Sequence, residues 1–334
     1  MTTAPLNIIS PPLAPPKSKS ALSLLFKRRV PAICLAIIAF YVLMALLTFV
    51  PAFDRAASRV LPPLPAAPGA SMPVTEYNPP TFAHFPDYLL GTDIQNRSVF
   101  YRVLYGCRTA LIITIFTSIL SLGIGVTLGA LAGYFGGWID DAINWLVSTL
   151  SAVPWILLVL SLGFVVKDTD INFFGLFGHE ADGSRSVIPI PDIAVVILAM
   201  GLTDWVGICR LIRGEVIKLR SLDYVSAAQA MGFSQKRVLF RHILPNTFHL
   251  VIITFTLGAI GYVQAEVALT FLGLGISEKP SWGRMIDDAK LELLRGVWWQ
   301  FAAATIAIGI LSLALSLLGD HLRDVLDPKS RSRN

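Results

Sequence analysis

The chain has 334 residues, of which 54% are hydrophobic and 15% charged, with a mean hydropathy of +0.65. A soluble domain carries roughly a quarter charged residues, so a soluble enzyme, a disordered chain and a nucleic-acid-binding domain are excluded. The net charge of +5 fits basic residues facing an anionic membrane leaflet better than a polyanion partner.

A bilayer core needs about 20 apolar residues per helix, and six stretches approach that length: about 31–50, 109–133, 142–166, 188–210, 247–275 and 297–318. The expected fold is an all-α integral membrane protein with six transmembrane helices. Residues 1–30 read as a Pro- and Ser-rich cytoplasmic tail without acids. The 31–50 run that follows is the first transmembrane helix, too far from the N-terminus for a cleaved signal peptide. Residues 51–105 form a long extracytoplasmic strap, and eight prolines between Pro62 and Pro86 argue against a helix there. Residues 106–320 hold the remaining five spans, and 321–334 is a second cytoplasmic tail. With both termini inside, sixteen of the 27 lysines and arginines fall on the inner side and eleven on the outer, the sense of the positive-inside rule.

Residues 211–246 are a long basic segment on the inner side. Ala227, Ala228 and Ala230 support a helix over about 224–231, with Asp223 as its N-cap and Gly232 as its stop. A second helix starts after Ser234 and ends before Pro245, with Lys236, Arg237 and Arg241 on one side and Leu239 and Ile243 on another. Connectors in bundles run about two to eight residues, so this hairpin reads as a docking element. The rival reading is a basic amphipathic hairpin lying on lipid headgroups.

Gly125, Gly129 and Gly133 recur every fourth residue and read as a small-residue helix-packing face; no strand precedes them, so they are not a dinucleotide loop. No Walker A loop is present. Cys34, Cys107 and Cys209 read as buried apolar packing residues. Glu266 is an acid inside the fifth stretch. It either lines the outer mouth of a translocation path or makes a buried structural hydrogen bond. Asp204 is expected to pair with Arg210 or a neighbouring chain, and Trp282, Trp298 and Trp299 to form an aromatic belt. The five histidines are scattered, and no metal site is read from them. A stand-alone secondary transporter would carry an inverted repeat, which is not visible. An intramembrane protease would need a histidine facing a serine within a span, and none lies in a span core.

Ser226-Ala227-Ala228-Gln229-Ala230-Met231-Gly232 followed by Arg241-His242-Ile243-Leu244-Pro245-Asn246 resembles the EAA loop of bacterial ABC importer permeases. Leu90-Gly91-Thr92-Asp93, Leu104-Tyr105-Gly106-Cys107-Arg108, Arg210-Leu211-Ile212-Arg213-Gly214, Phe271-Leu272-Gly273-Leu274-Gly275, Pro280-Ser281-Trp282-Gly283 and Leu318-Gly319-Asp320 resemble, in order, the dipeptide, oligopeptide and nickel permeases. The layout resembles their C-type subunit, with one N-terminal span ahead of a five-helix core. The sequence departs from the pattern at Ser226, where a glutamate is usual, and at Asn96 and Ser98, where a glycine and an aspartate are usual.

The resemblance implies an importer permease subunit in the bacterial inner membrane, for di- or oligopeptides, with nickel or another small solute as the alternative. It implies no catalysis and no cofactor in this chain. ATP and magnesium are held by two partner ATP-binding subunits. A second related permease completes a heterodimeric channel, and an extracytoplasmic substrate-binding protein delivers the solute. The coupling residues it points to are Asp223, Ala227, Ala228, Gly232, Arg241, Leu244 and Pro245, small ones allowing close approach to the ATPase and Pro245 fixing the exit toward the fifth span. Glu266 is the residue proposed for the translocation path.

Overall fold

The computed structural model describes residues 29–62, 77–82, 85–168, 191–276 and 279–326. The expected N-terminal tail, the most proline-rich part of the strap, most of the loop before the fourth span and the C-terminal tail lie largely outside these residues. Among them the structure is helical, with two isolated antiparallel bridges, Val60–Arg97 and Thr92–Ser98.

Helix α1 spans Arg29–Leu47. The strap opens with a short helix that the sequence reading did not foresee, α2 at Pro51–Ser58; Pro51 lies in its first turn, where a missing N–H costs nothing. Helix α3, Val99–Phe135, has 37 residues and is therefore about 55 Å long. It begins ten residues before the apolar stretch because its first turns, which carry the buried Arg102, pack against protein. Helices α4 (Gly137–Ser151) and α5 (Trp155–Asp168) replace the single span expected over 142–166. They meet at 93°, since Pro154 removes a donor and disfavours helix at Val153. Helices α6 (Asp192–Gly201) and α7 (Trp205–Arg220) form one broken span, and α8 (Asp223–Ala230) and α9 (Gln235–Val238) follow. The last three are α10 (Phe248–Phe271), α11 (Trp282–Leu293) and α12 (Trp299–Leu326). Among the described residues, five helical segments are long and apolar enough to cross a bilayer, six if α4 and α5 count as one.

The glycine stripe on α3 faces α7 at close range. A Cβ on Gly125, Gly129 or Gly133 would fall 2.8, 2.5 or 2.7 Å from the carbonyl oxygens of Trp205, Cys209 and Arg213 respectively. Those partners also recur every fourth residue, so two backbones lie against each other over two turns, as the small-residue pattern predicts. The three cysteines are free and buried.

The two ends of α3 are held differently. At its N-terminal end the strap is pinned by buried polar groups. Asp93 and Arg102 are 0% and 2% exposed. Arg102 donates to Asp93, to Gln300 Oε1 and to Asp288 Oδ2, and Glu292 Oε1 accepts the Ile94 N–H at 2.8 Å. Asn96 has φ 55°, a left-handed conformation that asparagine tolerates almost as glycine does. That conformation accounts for Asn96 replacing the usual glycine. Trp282 and Trp299 are not belt residues: their Nε1 groups donate inward to the carbonyls of Val103 and Thr92, both at 2.9 Å, and of the three only Trp298 is broadly exposed. At the other end, Arg220 Nη1 caps Tyr134 O and Arg213 forks onto Asp140. The 134–141 turn and the 211–246 segment therefore share one end of the molecule, opposite the strap, as the topology requires.

Candidate coupling site

The residues singled out between 223 and 245 lie together at the end of α7 and the start of α10. Helix α8 begins at Asp223, with Leu222 as N-cap; Asp223 occupies the first turn, where its charge meets the positive helix end, and makes no side-chain cap. The helix ends in a paired closure. The Gly232 N–H donates to Gln229 O and the Phe233 N–H to Ala228 O, with Gly232 at φ 82°, the Schellman arrangement. Nothing lies near the position of a Cβ on Gly232, so the glycine serves the turn rather than a close approach.

The faces of α8 separate cleanly. Val225 and Ala228 are 0% and 2% exposed and join the core of Ile212, Val216, Leu239 and Ile243. Ala228 is thus small so that α8 sits tightly on its own bundle. Asp223, Tyr224, Ser226, Ala227, Gln229 and Met231 are exposed. Ser226, in the place of the usual glutamate, has no buried role to fill. Tyr224 and Met231, 39% and 68% exposed, were not foreseen. Their signal was an aromatic and a methionine flanking an alanine run on a face that has no other reason to be apolar.

Beyond Gly232, Ser234 Oγ accepts the Arg237 N–H and caps α9. Phe233 stacks on His242 and lies under the Arg237 guanidinium. The helix does not stop before Pro245. It widens to a π-turn over Leu239–Ile243, tightens to a 3-10 turn over Leu244–Thr247 and runs on into α10. The missing proline donor and ring clash are absorbed by that local change of pitch, so Pro245 lies within a continuous helix and does not set an exit from a loop. Arg241 and Pro245 are exposed, and Leu244 is half-buried. Asn246 Nδ2 donates to His242 O at 2.8 Å and contacts the Tyr224 hydroxyl at 3.3 Å, tying α8 to the start of α10.

Glu266 lies apart from this site, near the strap end of α10. It is 6% exposed and accepts from Ser281 Oγ (2.7 Å), Thr270 Oγ1 (3.2 Å) and the Gly283 N–H (3.3 Å). The carboxylate closes the turn into α11. Asp204 does not meet Arg210: it accepts from the Tyr262 hydroxyl at 2.7 Å, while Arg210 donates to Ser151 Oγ.

Membrane-length helices joined through a short helix clamped to two of them define a multi-pass membrane protein. Residues 125–332 match the binding-protein-dependent transport system inner membrane component, and the chain belongs to that family, as the permease component of an ABC importer. It is 34% identical to the dipeptide transport system permease protein DppC of Bacillus subtilis, over 77% of this chain and 73% of that one. It is also 34% identical to the oligopeptide transport system permease protein OppC of the same organism, over 73% of each. The glutathione transport system permease protein GsiD of Pectobacterium atrosepticum is 33% identical over 76% and 75% of the two chains.

Proposed function

We propose that this chain is the C-type half of a channel that imports di- or oligopeptides across the bacterial cytoplasmic membrane, with both termini inside. A second, related permease forms the other half, an extracytoplasmic binding protein delivers the peptide, and two cytoplasmic subunits bind and hydrolyse ATP with magnesium. This chain carries the movement and no catalytic step. The peptide reading rests on the three relatives named above.

The observation that carries the coupling role is the two-faced α8. Its buried face is fixed to α7 and to the helix leading into α10. Its exposed face offers Asp223, Tyr224, Ala227 and Met231 to a cleft on a partner. When ATP closes the partner subunits, a load on α8 passes to two spans at once, because α8 has no slack against either. Arg241, Leu244 and Pro245 lie on the continuous helix that receives that load. Glu266 serves in this reading as a latch between α10 and α11 rather than as a contact for peptide.

Cysteine placed at Ala227 or Met231 tests this. The natural cysteines are buried and will compete little. A crosslink to a co-purifying nucleotide-hydrolysing subunit, changing in yield when ATP is trapped, is expected. Capture of neither ATPase subunit from either position would overturn the coupling role. Uptake of labelled dipeptide by the reconstituted complex, against nickel uptake by the same vesicles, decides the substrate.

A further inference from the structure

Arg108 lies on α3, about 15 Å along the helix from its N-cap Ser98, at the head of an apolar stretch. Its Nη1 donates to Thr48 O at 3.2 Å, just past the end of α1. The guanidinium lies over the Phe49 ring at 4.0 Å and near the Tyr105 ring at 5.4 Å. Arg97, Arg102 and Arg284 at the same end each meet a carboxylate. Arg108 meets none among the described residues, although a guanidinium keeps its charge in any protein environment and is costly at membrane depth without a counter-charge.

Beside it, α1 packs on α3 and α12 and fully buries Pro31, Cys34 and Ala45. Between it and α3, α10 and α12 is a cavity of about 200 Å³, lined by residues that include Tyr41, Val42, Cys107, Leu111, Phe255 and Val263. The Tyr41 hydroxyl is already spent on Ala307 O at 2.8 Å, so the walls offer water little and the cavity favours an apolar occupant. Phe255 and Ile115, both in its lining, are 40% and 37% exposed, so it opens at the surface of the spanning segments. Thr48, beside the guanidinium, is about two helical turns beyond Tyr41 and Val42.

We propose that α1, α3 and α10 hold one phospholipid, its phosphate on Arg108 and one acyl chain in the cavity. A guanidinium matches phosphate oxygens with paired donors, and a lipid alone supplies both the anion and the apolar body. Free phosphate would account for the arginine and leave the cavity empty; a side chain from a neighbouring subunit would fill the cavity and leave the charge unmet. An anionic headgroup is favoured because no ammonium competes for the phosphate. Lipid in this position cements α1 to the core.

The test uses the full chain with the subunits that co-purify with it, delipidated in detergent and then given phosphatidylglycerol, diacylglycerol or inorganic phosphate. Native mass spectrometry is expected to retain one phosphatidylglycerol per chain. Arg108→Met should weaken that retention at least tenfold, as should Ala259→Phe, which fills the cavity from α10. Diacylglycerol should be held weakly, and inorganic phosphate should not displace the lipid. Because either variant can fail to assemble, the unmodified chain is also labelled with phosphatidylglycerol bearing a photoreactive acyl chain. Label concentrated in 38–42 and 107–115 supports the site. Label spread evenly over the exposed helices, displacement by inorganic phosphate, or equal retention by two folded variants would overturn it.

Discussion

The strap end and the coupling end of α3 hold their chain segments by different means. At the strap end, buried charges and indole donors lock irregular backbone in place: Asp93 alone accepts from two backbone N–H groups and two arginines. At the coupling end, α8 is held by two small buried side chains, a glycine turn and a clasp through Asn246. Buried ion pairs leave a large penalty when broken, whereas small apolar contacts are held by close fit. The contrast teaches that the strap end is fixed by charge pairing and the proposed coupling end by packing.

The sharpest break of the strap end is Arg102→Met, which leaves buried Asp93 to Arg97 alone and strips Gln300 and Asp288 of the Arg102 donor. A loss of about 3 kcal/mol is expected, read as a lowered unfolding transition in detergent. Gly129→Leu should follow. It drives a side chain into the Cys209 carbonyl and parts α3 from α7, the element joining the two ends, at a cost of about 1–3 kcal/mol or more; thermal unfolding and loss of complex assembly measure it. At the coupling end, Gly232→Val forces a β-branched residue to φ 82°, with about 1–3 kcal/mol of local strain. Transport should fall while the complex still assembles, which would separate the two ends functionally. Ser234→Ala removes one cap, about 1 kcal/mol, and should appear as faster amide exchange confined to α9.

The smallest effect is a slope. Burial holds the Glu292 carboxyl above the ordinary glutamate range, with nearby Asp93 and Asp288 adding to it and the Ile94 N–H and Arg102 opposing. The folded strap end therefore binds a proton more readily than the unfolded chain. Glu292 favours folding most fully below the ordinary glutamate range, and this is lost as pH rises through its raised folded value. Glu292→Gln should flatten that dependence, measured as unfolding midpoint against pH; an unchanged slope would show that strap stability is set elsewhere.

Five of the six expected membrane spans, the glycine stripe, the short helix after Asp223 and the family itself were legible in the sequence. Each rests on a local property: apolar length, a repeat of four, a cap or a stop. What tertiary structure decided is which way those residues face. Ala228 turned inward while Ala227 stayed exposed, and Trp282 and Trp299 became internal anchors. Asp204 chose Tyr262 over Arg210, and Pro245 was carried inside a continuous helix. Composition and periodicity record how much apolar surface a segment must bury. The partner that buries it, and the donor that meets each buried carboxylate, can come from segments about two hundred residues away and beyond, as the pairs Ile94–Glu292 and Tyr41–Ala307 illustrate. No local pattern encodes such a pairing, because its free energy exists only once both segments are in place.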